Sequence, residues 1–525
     1  MSKKSKIETV FPNLSLSLTQ LYLVTTITAI TYIVYSFFSD GFYQHDEAAH
    51  FINMRTFWFN PNSILGNWAK PGYKLIYVIP SFAGPFGVLS LNAIFSAFTA
   101  FFTYKIAEQL SFKMPLVAFV LMATQPLWIQ LSFRNYSEIP TAFLLSVAGW
   151  FYYRIEKKDW WFVGLILSYL TLLRQEFYVI AIVFALYALI QKKWKFILVL
   201  PIFPVLIHIW GWLSTNDPLY LITSTMGTAG TYKDAYPRLG FNHYFKMMIV
   251  ITGPIVLSGF LLSIPSFIKE KLKHPLLPIL VVSLVYFGLH ALFNWQAVKI
   301  GASTGGNLRY MLVISPLFAL MATFGFESIK TSTRDIQALV ISIVFAFVTF
   351  FFLSYADNNI GFTQERNYTA LLTLIGFTVT LLFLKPSKMQ WGILLGIQFI
   401  YLIASVEPYR KSSQDAIMEQ VVNWAEEQDL FKKPTMTQHT LFYYYHGKVQ
   451  QEFEGGNQNL LTEETINEAK SGTIIFWDSH YSYRPKLRPT SVNYTWFTDR
   501  PNEFKLIRQF IARDKRFGVF IFEKL

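Results

Sequence analysis

Apolar stretches of about 15–22 residues recur from Met1 to about Glu407, separated by short polar loops. The spacing predicts membrane-spanning helices near 18–38, 84–104, 114–131, 139–153, 160–173, 177–191, 196–213, 247–268, 276–294, 309–328, 335–354, 369–384 and 390–405, about thirteen in all. Two stretches allow a second reading. Residues 160–191 also fit one kinked span, and "YKLIYVIPSFAGPFG" (73–87) fits a re-entrant or interfacial segment. From Pro408 to Leu525 the pattern changes. "DAIMEQVVNWAEEQ" (415–428) has apolar residues at helical spacing. "LFYYYHG" (441–447), "GTIIFWD" (472–478) and "FGVFIFE" (517–523) are apolar, aromatic and bounded by turn residues, so they read as strands. "NEFKLIRQFI" (502–511) is also strand-like, without excluding a helix. The expected architecture is a polytopic α-helical membrane domain over 1–407, followed by a soluble α/β domain over 408–525.

Composition agrees. The chain is 53% hydrophobic and 15% charged, against about 25% charged for an ordinary soluble protein. Its net charge of +13 suggests nucleic acid at first sight, but the segment after Pro408 is nearly neutral, so the excess lies in the membrane part. There it sets topology, because Lys and Arg collect at the cytoplasmic ends of spans. With the N-terminus inside, alternate loops contain "YRIEKKD", "QKKWK", "IKEKLKH", "IKTSTR" and "KPSK", and every one is basic. Thirteen spans then place the C-terminal domain outside. The basic start "MSKKSK" lacks the short apolar core and cleavage site of a signal peptide, so the first run is expected to stay in the bilayer. With no cysteine, disulfide and thiolate chemistry are excluded, and the compartment stays open.

The topology also sorts the polar residues. "QHDEAAH" (44–50), "FRNYSE" (133–138), "LLRQEF" (172–177) and "GGNLRY" (305–310) all fall at outer span ends. Ionisable groups at membrane depth cost roughly 2.5–3.5 kcal/mol each, so four such clusters on one face point to one working site. Asp46 and Glu47 point about 100° apart on a helix, so one is expected to face the site and the other to orient or bind a second group. Glu138 adds a third carboxylate. A carboxylate within reach of a hydroxyl can take its proton, while Lys70, Arg134, Arg174 and Arg309 offer positive charge suited to phosphate oxygens. A base beside a phosphate clamp at a lipid boundary suits attack of a hydroxyl on a sugar whose leaving group is a polyprenyl phosphate. His45, His50, Tyr310 and Trp295 are candidate substrate contacts.

These residues resemble those of the GT-C glycosyltransferases. "DEAAHFINMRTFWFNPNSILGNWAKPGYKLIYVIPSFAGPFG" (46–87) is similar to the first external loop of the branch holding protein O-mannosyltransferases and lipid A aminoarabinose transferases. The matching residues are Asp46, Glu47, Lys70 and Pro71. "FRNYSEIPTAFLLSVAGWFYYR" (133–154) resembles the second acidic motif, with Glu138 at the acidic position, and "NLRYMLVISPL" (307–317) resembles a late-span Arg-Tyr pattern. The resemblance implies a GT-C fold and inverting transfer from a polyprenyl-phosphate monosaccharide to a glycan, lipid or protein acceptor. It also implies a catalytic role for Asp46 and a lipid-phosphate role for Lys70. Lipid A-modifying relatives carry Arg three residues after the first Asp; this chain has Ala49 there, which leaves the sugar open.

Alternatives stand beside each assignment. Asp46 and Glu47 also fit simple charging of a helix N-terminus. Arg134 and Arg174 fit interface anchors, Arg309 fits an ion pair to Glu138 or Glu176, and Trp295 fits a membrane anchor. His45 and His50 are five apart, about 140° on a helix, so no metal is assigned to that pair. A divalent cation held by a carboxylate and the donor phosphate stays open. The segment 214–245 is long for a connection and is a candidate lid or a plain loop. The rival class is a transporter of lipid-linked saccharides, which predicts internal repeats with matched broken helices. None is visible in the sequence.

Overall fold

The computed structural model describes residues 14–65, 70–154, 160–231, 236–270, 273–297, 305–328, separate positions between 336 and 346, 367–384, 387–485 and 488–525. The predicted span over 335–354 and the basic loop "IKTSTR" fall wholly or mostly outside them. The chain is mostly helical with one small C-terminal sheet. Among the described residues, Leu18–Ser36, Pro80–Gln109, Trp194–Thr215, Leu277–Asn294 and Leu308–Glu327 are long and apolar enough to cross a membrane. This is a multi-pass membrane protein.

Two predicted spans are broken. The stretch 247–268 divides into His243–Thr252 and Pro254–Glu270, bent by 118° between Thr252 and Pro254. Gly253 has φ +85°, a left-handed conformation that suits glycine, and Pro254 has no amide to continue the helix. The stretch 114–131 divides at Thr124–Gln125 into Pro115–Ala123 and Pro126–Leu131, again with proline opening the second helix. Residues 160–191 form two helices, Trp160–Leu173 and Glu176–Ile190, rather than one kinked span. The long segment 214–245 contains the helix Tyr220–Thr231.

Contacts divide the chain into two units. One holds Met1–Val34, Leu65–Tyr73 and Ser90–Glu407; the other holds Tyr35–Ile64, Lys74–Leu89 and Pro408–Leu525. The second unit is built on a five-stranded sheet of order β2-β1-β3-β5-β4, with β1 Thr435–Thr437, β2 Asn457–Gln458, β3 Ile474–Asp478, β4 Phe504–Ile511 and β5 Gly518–Lys524. The β1–β2 and β1–β3 pairs are parallel, and β5 runs antiparallel to both β3 and β4. Side chains of β3 alternate as a two-sided strand requires. Ile474 and Phe476 join a core with Val421, Val422, Leu441 and Ala48; Ile475 and Trp477 join another with Met436, Phe504 and Phe522.

One predicted strand is a helix. "LFYYYHG" forms Thr440–His446, because His439 accepts the Leu441 amide at the start and Gly447 closes the end with φ +72°. These caps override the strand preference of the aromatic run. The segment after the first span is fixed to this unit by a close backbone approach. Gly41 donates its amide to the Tyr409 carbonyl at 3.1 Å, and a Cβ at Gly41 would lie 2.0 Å from the Arg410 carbonyl oxygen.

Candidate functional site

In the first unit, three of the four polar clusters converge. Arg174, between the helices Trp160–Leu173 and Glu176–Ile190, sends Nη1 to Glu138 Oε1 at 2.5 Å. Its Nη2 and Nε donate to the two oxygens of Glu176 at 2.6 and 3.2 Å, a bidentate fork. Arg309 Nε lies 3.5 Å from Glu138 Oε1, so the ion pair considered as its alternative role is present. Lys70 donates to Ser137 Oγ at 2.9 Å, and Ser137 Oγ is 3.4 Å from Glu138 Oε2. All four ionic side chains of the Glu138–Arg174–Glu176–Arg309 group are buried or nearly so.

Local structure explains how each residue gets there. Glu138 opens the helix Glu138–Arg154, where a carboxylate is favoured by the helix dipole. Lys70 takes a left-handed conformation, φ +51°, just ahead of Pro71. Its segment is anchored by Tyr169, whose hydroxyl donates to the Gly72 carbonyl at 2.8 Å, and by Tyr73, which donates to Asn135. A Cβ at Gly72 would fall 2.6 Å from that of Leu172, so glycine permits the approach. Arg309 sits in a short 3-10 helix whose N-cap Asn307 accepts the Arg309 amide, while the Asn307 carbonyl accepts from Tyr244 and the Gly306 carbonyl lies 2.8 Å from His243 Nε2.

Aromatic faces complete the cluster. The Arg309 guanidinium lies 4.1 Å from the Tyr136 ring centroid, and Arg174 lies 4.5 Å from that of Tyr310. Tyr310 stacks on His290, whose Nε2 is 2.9 Å from Glu176 Oε1. Tyr136, Ser137, Glu176 and His290 were not singled out from the sequence as site residues. His290 is buried within an apolar helix, and an ionisable group there was a usable signal. Arg134 is buried with its guanidinium 4.9 Å from the Phe133 ring centroid. Trp295 is 44% exposed at the end of Leu277–Asn294 and touches Phe241.

Among the described residues, three cations, Lys70, Arg174 and Arg309, meet two carboxylates, Glu138 and Glu176, so this group carries one excess positive charge apart from His290. Desolvation lowers the Lys70 ammonium to about 8; Glu138 pulls it back up, and Arg174 and Arg309 push it down.

The first cluster lies in the second unit. Asp46 and Glu47 open the helix Asp46–Thr56 and diverge as their spacing requires. Glu47 is buried and accepts the Tyr43 amide at 3.0 Å, whereas Asp46 is half-buried. Asp46 acts electrostatically on Tyr481, whose hydroxyl is pushed up to about 12, mainly by burial. His45 and His50 separate. His45 Nε2 is 3.2 Å from Asp415 Oδ1, and buried His50 has Nδ1 2.7 Å from Lys74 Nζ. Near His45 stand His439 and His480. Burial holds His439 well below the ordinary imidazole range; burial and then Arg484 lower His480 to about 4.

No protein-family model and no curated sequence matches the chain. Its fold matches two crystal structures of ArnT from Cupriavidus metallidurans. The one bound to undecaprenyl phosphate aligns with a TM-score of 0.60 and 9% identity, over 96% of this chain and 98% of that one. The apo structure aligns with a TM-score of 0.62 and 10% identity over the same shares. At such identity the likeness concerns the fold: this chain has the fold seen in those two ArnT structures.

Proposed function

We propose that the protein is an inverting, mannosyltransferase-like glycosyltransferase that moves a sugar from a polyprenyl-phosphate donor to a glycan, lipid or protein acceptor. The observation carrying this reading is the buried cluster with one cation in excess, built by Lys70, Arg174 and Arg309 around Glu138 and Glu176 in a chain with the ArnT fold. Undecaprenyl phosphate bound to ArnT supports a lipid phosphate as the donor's leaving group. The bacterial inner membrane is the proposed location, and the distribution of Lys and Arg supports an outward-facing site and C-terminal domain.

The acceptor hydroxyl attacks the anomeric carbon as its proton passes to Asp46. The bond from that carbon to the phosphate oxygen breaks, and the lipid phosphate leaves with its electron pair. Lys70, Arg309 and Arg174 stabilise the departing charge. Arg134 belongs to the same proposed phosphate set. Glu47 and Glu138 hold partners in place, and His45, His50, Tyr310 and Trp295 are proposed sugar or acceptor contacts.

Proteoliposomes supplied with a panel of polyprenyl-phosphate sugars and acceptors test the reading. Turnover of one donor supports it; lipid crossing the bilayer with every donor intact favours the transporter. Arg309→Ala is expected to weaken donor binding about 10–100-fold, the worth of one or two charge-assisted hydrogen bonds. Donor binding should also fall as pH rises through about 8, because Lys70 then loses its charge. The sugar phosphodiester stays anionic throughout. Lys70→Arg should flatten this profile in a binding titration from pH 7 to 9.5, since guanidinium keeps its proton. A wild-type profile without that fall removes Lys70 from the phosphate site.

A further inference from the structure

Three histidines from distant parts of the sequence meet in the second unit. His45 precedes the helix Asp46–Thr56, His439 caps Thr440–His446, and His480 follows β3. One ring nitrogen from each lies within 4.8 Å of the others. His439 is fully buried and the His45 side chain is 17% exposed, so the group is neither a surface patch nor sealed from solvent.

The surrounding groups are those of a ligand site. Asp415 Oδ1, itself buried, lies 3.2 Å from His45 Nε2. A carboxylate there fixes the ring and leaves Nδ1 as the donor atom, the arrangement found behind metal-bound histidines. On the other side the Gln414 amide nitrogen sits 2.6 Å from His439 Nε2 and 2.7 Å from His480 Nδ1. Two imidazole nitrogens are therefore turned on one small polar group.

We propose that His45, His439 and His480 bind a divalent transition-metal ion of the zinc class, with Asp415 as the outer carboxylate. Neutral imidazoles suit zinc, copper or nickel and not magnesium or calcium. Zinc holds imidazole nitrogens at about 2.0–2.1 Å, which places them about 3.4 Å apart in a tetrahedron. The rings must close by about 1.4 Å at most, and the Gln414 amide must step aside. His439 Nδ1 accepts the Leu441 amide at 3.2 Å; loading Nε2 moves the ring proton to Nδ1 and ends that cap. With three protein ligands, the fourth position is left to water. The ion would tie the Asp46 helix to the sheet next to the proposed base. It does not depend on sugar transfer, and either reading can fail alone.

The full-length protein in detergent is stripped with chelator and dialysed against limiting zinc, and bound metal is measured by atomic emission. One zinc per chain is expected. His480→Ala and His45→Ala should each weaken uptake at least about 10-fold, and Asp415→Asn about 10–100-fold. Metal-free elution and melting should be unchanged for His480→Ala, which is partly exposed. Wild-type protein that takes up no zinc, or uptake undiminished in both histidine variants, overturns the site. Should a variant misfold, the visible spectrum of the cobalt-loaded wild type decides. Tetrahedral nitrogen coordination supports the site, and an aquo-cobalt spectrum refutes it.

Discussion

Asp46→Asn is expected to lower sugar turnover about 10²–10⁴-fold while donor binding stays intact. The two side chains have nearly the same shape, and both accept hydrogen bonds near a helix N-terminus. Only the carboxylate can take a proton and hold the resulting charge. Asp46 is half-buried at the first position of its helix. Its neighbour provides the contrast. Glu47 is buried and accepts the Tyr43 amide, so Glu47→Gln should show its effect in stability as much as in rate. Single-turnover transfer in proteoliposomes, alongside a donor-binding titration, separates the two. An Asp46→Asn protein that turns over normally places the base elsewhere, and a loss of donor binding instead makes Asp46 a binding residue.

Glu138→Gln is expected to cost about 3–5 kcal/mol of stability, the range found when one member of a buried ion group is removed. Glu138 is fully buried, is paired with Arg174, lies 3.5 Å from Arg309, and is linked through Ser137 to Lys70. A neutral amide leaves these cations facing one another with Glu176 as the one carboxylate of the cluster among the described residues. Arg174 keeps its bidentate fork to Glu176, so the burden falls mainly on Arg309 and Lys70. Adding Lys70→Met to Glu138→Gln should therefore recover part of the loss, as contacting residues in one charge network couple by about 0.5–3 kcal/mol. Apparent melting temperature in detergent reads both effects. Additive losses in the double variant would show that Lys70 does not share the Glu138 field.

The sequence makes the polar clusters conspicuous because charge inside an apolar chain is costly. "FRNYSE", "LLRQEF" and "GGNLRY" stand at helix starts or turns beside apolar helices, and each contributes to the buried cluster. The pattern does not say which arginine meets which carboxylate. Arg174 could be read as an anchor at a span end, yet it grips Glu138 and Glu176 inside the unit. Ser137 looks like a small residue beside an acid, and its role as the bridge to Lys70 exists only once residues 70–73 pack beside 133–138.

What the sequence determines by itself follows from local physical chemistry. Long apolar runs need a non-aqueous environment. Helical spacing in 415–428 and alternating or continuous apolar runs in 472–478, 502–511 and 517–523 produce the helix and strands found there. Adjacent carboxylates at a helix start must diverge, so Glu47 turns inward and Asp46 stays half-buried. What only the tertiary structure decides involves groups far apart in the chain or competing local preferences. The aromatic run 441–447 becomes a helix because His439 and Gly447 cap it. Spans break at Gly253–Pro254 and Gln125–Pro126, where proline interrupts the amide ladder and both breaks are buried in the packed unit. His45 finds Asp415, His439 and His480 about 370–435 residues along the chain, a meeting that periodicity cannot express. Periodicity fixes which face of an element is apolar; the three-dimensional packing of those faces chooses the partners of the few polar groups they carry.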